Sequence, residues 1–181
     1  MNRQIVSHPT IWTVGHSTRP IAAFIELLES AAITLVVDVR RFPGSRRYPD
    51  YNQQPLAEAL ATASISYLAL PILGGRRQAH PDSPHTAWRN PSFRGYADYM
   101  DTEQFREGIQ QVQTLAANER IALMCAEALW WRCHRALIAD YLKAQGYDVI
   151  HLLSPSKHEQ HPYTSAARMN DGKLTYTLPP T

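Results

Sequence analysis

The chain is 181 residues long, 44% hydrophobic and 19% charged, which is enough for one domain with a packed core and excludes wholesale disorder. No window approaches the roughly 20 apolar residues of a membrane span, and the opening MNRQIVSHPT lacks the apolar stretch of a secretory signal. The net charge of +2 is too small for a tight polyanion binder; two cysteines, Cys125 and Cys133, are too few for a disulfide scaffold, so the expectation is a cytoplasmic protein with reduced thiols.

In chain order, residues 11–14 form a short apolar run read as a strand. Residues 20–31 come next as an amphipathic helix, with Ile21, Phe24, Ile25, Leu28 and Ala31 on one face and Pro20 in its first turn. Residues 35–39 are a second strand, 55–63 a helix opened by Pro55, and 66–70 a third strand. Residues 71–100, rich in Pro, Arg and aromatics, read as a long loop: a lid, a binding loop or an unstructured segment. Asp101 and Gln104 suggest a capping box before the helix of Phe105, Ile109, Val112 and Leu115. Residues 121–126 give a fourth strand. A helix with Ala136, Leu137, Ile138, Ala139, Tyr141 and Leu142 comes after it, ended by Gly146 in a left-handed cap, and 148–152 are a fifth strand. The tail from 154 carries a strand-like 173–178 that can add an edge hairpin. Nearly continuous apolar strands alternating with amphipathic helices predict an α/β fold, a three-layer open sheet of about five mostly parallel strands with helices on both faces. The expected organisation is a single domain over 1–181, with a core of about 11–153.

Ligands of an open parallel sheet bind beyond the carboxyl ends of its strands, so the residues just past each strand carry the functional reading. The first strand delivers His16 and Ser17; the second, Asp38 and Arg40, then Ser45 and Arg46; the third, Gly74 and Gly75. The fourth delivers Cys125 and Glu127, then Arg132, Cys133, His134 and Arg135 at the start of a helix, and the fifth ends at His151. A thiol beside guanidiniums and a helix N-terminus has its thiolate favoured, and the same surroundings cradle an anion. Cys125 is thus a candidate nucleophile, although free cysteines also serve as ordinary packing. Glu127, His134 and His16 are candidate general acids or bases. The anion-binding candidates are Ser17, Asp38, Arg40, Ser45, Arg46, Gly74, Gly75, Arg132 and Arg135. For Asp38 and Arg40 a buried pair anchoring the loop stands as an equal alternative.

Between residues 40 and 94 eight arginines face only Asp50, Glu58 and Asp82. Guanidiniums grip phosphates and carboxylates two bonds at a time. Trp88, Phe93, Tyr96 and Tyr99, interleaved with Arg89 and Arg94, either stack on bases or form the underside of a lid. No metal site is expected: the Cys-x7-Cys spacing fits no common zinc motif, and His134 lacks a histidine one turn on.

The segments GHSTRPIAAFIELL, LVVDVRRFPGSRRYPDYN, YLALPILGGRR, FRGYADYM, LMCAEALWWRCHRALIADYL and HPYTSAARMNDGKLTY together resemble the domain-of-unknown-function 488 family over about residues 11–177. The resemblance implies a cytosolic, bacterial-type α/β protein without an established activity. Its motif positions fall on His16, Ser17, Asp38, Arg40, Ser45, Arg46, Gly74, Gly75, Cys125, Glu127, Cys133, His134 and Arg135. In the loop at Leu129-Trp130-Trp131 this chain departs from the family's pattern. Asp-Val-Arg with a later strand, Cys, loop, Arg and helix is also similar, more weakly, to rhodanese-type sulfurtransferases and cysteine phosphatases. Cys125 and Arg132 are seven positions apart, however, where the phosphatase signature has six, and Glu127 would repel a phosphate.

The first expectation is an enzyme acting on a small anionic or nucleotide-like substrate at the carboxyl edge. The alternatives are a nucleic-acid-associated module using the arginines and aromatics of 40–99, or a rhodanese-like sulfurtransferase using Cys125. The sequence names no cofactor, points to no membrane partner and leaves the oligomeric state open.

Overall fold

The computed structural model describes residues 9–181. All but the last two residues of the opening segment considered for a secretory signal lie outside the described residues. The elements run β1 (Thr10–Gly15), α1 (Ile21–Glu29), β2 (Leu35–Asp38), α2 (Gln53–Thr62), β3 (Ser66–Ala69), α3 (Pro91–Tyr99), α4 (Glu103–Ala116), β4 (Ile121–Cys125), α5 (Arg135–Ala144), β5 (Asp148–Ser154), β6 (Lys157–Gln160), β7 (Arg168–Asn170) and β8 (Lys173–Thr175). Single 3-10 turns occur at Pro49–Tyr51, Pro71–Leu73 and Trp130–Arg132.

The main sheet has the order β3-β2-β4-β1-β5-β6. Its first five strands are parallel, as their apolar runs predict, and β6 folds back antiparallel on β5. The tail thus adds an edge strand through β6, but the strand-like 173–178 does not join the main sheet: its β8 pairs with β7 as a separate small hairpin. β2 and β4 are buried along their whole length and β1 for all but its first residue, whereas edge strand β3 alternates exposed with half-buried residues. Helices α1 and α2 cover one face: Phe24, Leu27, Leu28, Leu56 and Leu60 pack on Val14, Val36 and Met124. On the other face Tyr96, Phe105, Ile109, Val112, Leu137 and Ile138 pack on Ile11, Val37 and Leu123. Each fully buried Leu, Ile or Phe contributes roughly 1.5–3 kcal/mol.

Three local expectations change. Residues 71–100 are not one long loop, because nine of them form α3. Asn90 accepts the Ser92 N–H, Pro91 takes the first helical position where its missing N–H costs nothing, and Tyr96 and Ala97 bury the inner face. The cap of α4 is Thr102, whose hydroxyl accepts the Phe105 N–H, so Asp101 and Gln104 are out of register for a capping box. Pro20 is the N-cap residue of α1, one position before the helix begins. Gly146 takes a φ of +94° after α5, the left-handed conformation expected of it. Among the described residues, no helix is long and apolar enough to cross a membrane.

Candidate active site at the carboxyl edge of the sheet

From β1 the chain moves outward through β2 to β3, then returns to place β4 between β2 and β1. Connections leaving β1 and β2 go to the α1/α2 face, while the one leaving β4 goes to α5 on the other face. The carboxyl end of β4 is therefore the topological switch point, the place where ligands of such sheets bind.

The β1 exit is pressed against the β4 loop. A Cβ on Gly15 would lie 1.7 Å from the Glu127 carbonyl oxygen, so only glycine permits this approach. His16 N–H donates to Cys125 O and Ser17 N–H to Ala126 O, extending the ladder past the strand ends. Ser17 makes the turn with a φ of +50°, in the left-handed region. The buried His16 ring stacks on Tyr51 at 4.1 Å between centroids and donates from Nδ1 to Ser17 O. Its Nε2 lone pair faces Arg40 Nη1 at 3.4 Å. Burial lowers the His16 pKa despite the Ser17 bond, and Arg40 lowers it further, so the ring is neutral at pH 7.

Asp38 and Arg40 form the buried anchor. Arg40 donates from Nε (2.9 Å) and Nη2 (2.7 Å) to the two oxygens of a fully buried Asp38. Nη2 also reaches Tyr51 O, and Tyr67 OH donates to Asp38. Burial opposes the charge on Arg40, but Asp38 more than offsets it. With its fork occupied, Arg40 fixes the loop that leaves β2. In that loop Ser45 Oγ accepts the N–H groups of Arg47 and Tyr48, while Asn52 Oδ1 accepts Ser45 N–H. Arg46 is exposed on the turn so made. Gly74 and Gly75 are packing positions: a Cβ would come within 2.5 Å of Arg41 Cα or 2.9 Å of His134 Nδ1.

The two cysteines meet although eight positions apart, their sulfurs 3.0 Å from each other. Cys133 Sγ accepts the Arg135 backbone N–H at 3.4 Å and Nε–H at 3.3 Å, just before α5 begins. Burial works against ionising Cys133, but the Cys125 thiol, Arg135 and His134 hold its pKa well below the usual thiol range. Burial and the neighbouring Cys133 push Cys125 well above it. Two Arg135 N–H groups face Cys133 and a carbonyl oxygen faces Cys125, so Cys133 is the more readily ionised of the two, whereas the sequence pointed to Cys125. The reason is local: Cys125 Sγ faces the Glu127 carbonyl oxygen at 3.6 Å, not a ring of N–H groups. His134 donates from Nε2 to Val39 O, leaving the Nδ1 lone pair beside Gly75, and burial lowers its pKa.

Arg135, 1% exposed, ties the edge together. Nη2 holds Glu127 O at 2.6 Å, and Nη1 donates to Thr13 Oγ1 at 3.1 Å. From there a buried chain continues: Thr13 hydroxyl to His151 Nδ1, His151 Nε2 to His161 Nδ1 (2.8 Å), and His161 Nε2 to Asp140 Oδ1 (2.8 Å). Thr164 and Tyr176 complete the Asp140 shell. Because Arg135 must donate and Asp140 accepts, every bond points the same way, from Arg135 toward Asp140. Trp130 lies flat on His151, 4.6 Å between centroids, and burial pushes that imidazole down to about 2.

Of the expected residues, His16, Asp38, Arg40, Gly75, Cys125, His134 and Arg135 converge through these contacts, with Cys133 at the centre. Glu127 takes part through its carbonyl, while the residue itself is exposed; Arg132 is exposed on the 3-10 turn. Sequence reasoning missed Thr13, Asp140 and His161. Asp140 leaves a trace, as an acidic residue on an apolar helix face, but its partners lie 21 to 36 positions further on. Trp88, Phe93 and Tyr99 pack partly buried against the core and Tyr96 is inside it, so these rings are the underside of a segment and form no open platform. Among the described residues, no three His, Cys, Asp or Glu side chains form a group able to hold a metal. A cavity of about 200 Å³ lies at the other end of α5, between His85, Asp101, Arg106, Tyr141 and Lys173; the activated groups are at the sheet edge, and the functional reading belongs there.

Fold and site define an open α/β protein whose switch point holds a cysteine pair under a buried arginine. The family model described as Domain of unknown function DUF488 matches residues 20–142, and the chain belongs to that family. The match covers the strand ends at Asp38 and Cys125 and most of α5, a shorter span than the resemblance read from the motifs. Comparison with curated proteins and with solved structures returns no match to either.

Proposed function

We propose that this protein is an enzyme acting on a small anionic or nucleotide-like substrate at the carboxyl edge of the sheet, with Cys133 as its nucleophile. The observation that carries this reading is the Cys133 sulfur, which accepts two N–H groups of Arg135 at the head of α5 and sits 3.0 Å from the Cys125 thiol. Such surroundings favour a thiolate and attract an anion. Exposed Arg46 and Arg132 supply the charges that meet the substrate, and His134, with Nδ1 unbonded, moves the proton. Alkylation tests it. Cys133 should react at pH 7 at least tenfold faster than a free cysteine, faster with iodoacetate than with iodoacetamide, and phosphate or nucleotides should protect it. A rate no faster than that of free cysteine, unaffected by anions, would sink the proposal.

A second reading rests on exposed Phe42, at 64%, beside exposed Arg41, Arg46 and Arg47: a single strand of nucleic acid stacking on this loop. Its affinity should fall steeply as salt rises, because phosphate contacts release counterions.

A further inference from the structure

A mechanism that uses Cys133 as nucleophile gives Cys125 no chemical step of its own, only a hydrogen bond to the attacking sulfur. It is buried at the tip of β4, where burial and Cys133 raise its pKa, yet its sulfur is only about 1 Å further from the Cys133 sulfur than a disulfide bond requires. Cys133 lies in extended backbone between the 3-10 turn and α5, outside any helix or strand, where a small shift breaks no ladder. We propose that Cys133 and Cys125 are an attacking and resolving pair that reduces a small hydroperoxide and closes a reversible disulfide within the chain. This pairing rests on the proposed Cys133 thiolate and gives that sulfur a second, uncharged substrate.

The chemistry balances in two steps. The Cys133 thiolate attacks one peroxide oxygen: an S–O bond forms, the O–O bond breaks, and the departing alkoxide or hydroxide takes a proton from solvent. Sulfur loses two electrons and the peroxide gains them, leaving a sulfenic acid on Cys133. The Cys125 sulfur then attacks the Cys133 sulfur. The S–S bond forms, the S–O bond breaks, and hydroxide leaves as water with the Cys125 proton.

Two structural features set the character of this pair. Cys133 is 8% exposed and Cys125 3%, so the site admits hydrogen peroxide more readily than a bulky organic hydroperoxide. Arg135 stabilises the reduced thiolate through two donors, and those bonds lose their anionic acceptor on oxidation. A stabilised thiolate makes the disulfide an oxidising, easily reduced one.

The test treats the full chain with equimolar hydrogen peroxide, with thiol titration and intact-mass measurement afterwards. Expected are the loss of both thiols, a mass lower by two hydrogens, recovery of both thiols in millimolar glutathione, and slower reaction with cumene hydroperoxide. In Cys125→Ser, Cys133 should stop at the sulfenic acid and be captured by dimedone. In Cys133→Ser no disulfide should form. Survival of both thiols, passage of Cys133 to sulfinic acid while Cys125 stays free, or a disulfide joining two chains would each overturn the inference. Fast alkylation of Cys133 without disulfide formation removes this inference alone. Disulfide formation without anion selectivity in alkylation removes the anionic-substrate reading alone.

Discussion

Asp38 shows how one side chain decides whether a loop is built. Its carboxylate, with no exposed surface, receives the Arg40 fork and the Tyr67 hydroxyl. Replacing one partner of a buried pair strands the other's charge, at a cost of about 3–5 kcal/mol. Asp38→Asn should therefore lower unfolding free energy by that order in urea titration, and a loss under about 1 kcal/mol would mean that Arg40 finds another partner. The pairing was legible in the sequence as one of two options, since Asp and Arg two apart at a strand end share one side. What was not legible is the competition between the two thiols. Cys133 faces two N–H groups of Arg135 and Cys125 faces the Glu127 carbonyl, a difference set by how the chain between them folds back, which motif spacing does not encode.

At the scale of elements, the buried chain from Arg135 through Thr13, His151 and His161 to Asp140 joins β1, β5 and α5 with the segment after β6. Thr13 is its narrowest point, as both acceptor for Arg135 and donor to His151. Thr13→Val keeps the shape and leaves both neighbours unsatisfied, a loss of about 1–3 kcal/mol. It should also slow Cys133 alkylation, because the Arg135 guanidinium loses one of the bonds that hold it against the sulfur. A destabilised Thr13→Val protein with unchanged alkylation would show that the chain is structural only. Strands and helices were legible here because their periods differ and their lengths are ordinary. Helix α3 was not, because its Pro, Arg and Gly mask an inner face made by Phe93, Tyr96, Ala97 and Tyr99. The Asp140 partners were hidden for a different reason: polar contacts between segments far apart in sequence leave no period.

For the whole molecule, neutral buried histidines make stability depend on pH. His151 is held at about 2 in the fold against 6.5 when free, and burial lowers His16 and His134 as well. A depressed histidine favours the folded state fully above the unfolded pKa, and that stability drains as pH falls below it. The window opens near pH 6.5, and His151 alone accounts for about 2 kcal/mol by pH 5, at about 1.4 kcal/mol per unit. Unfolding free energy should drop by at least that much between about pH 7.5 and pH 5, and a flat profile would show that His151 is charged in the fold. The parallel strands and both helical layers accord with the alternation of apolar runs, while the strand order is set by packing that the alternation does not encode. The meeting of the strand tips along one edge is a consequence of parallel pairing alone, which is why that edge was legible in the sequence.

The groups that enclose Asp140, namely His161, Thr164 and Tyr176, all belong to the stretch after β5. During synthesis they leave the ribosome later than every parallel strand. A nascent chain can therefore assemble its sheet and bring the two sulfurs together while Arg135 still lacks its far support. The far end of the hydrogen-bond chain that steadies Arg135 is thus the last part of the protein to be made, and trimming it should loosen Arg135 from a distance.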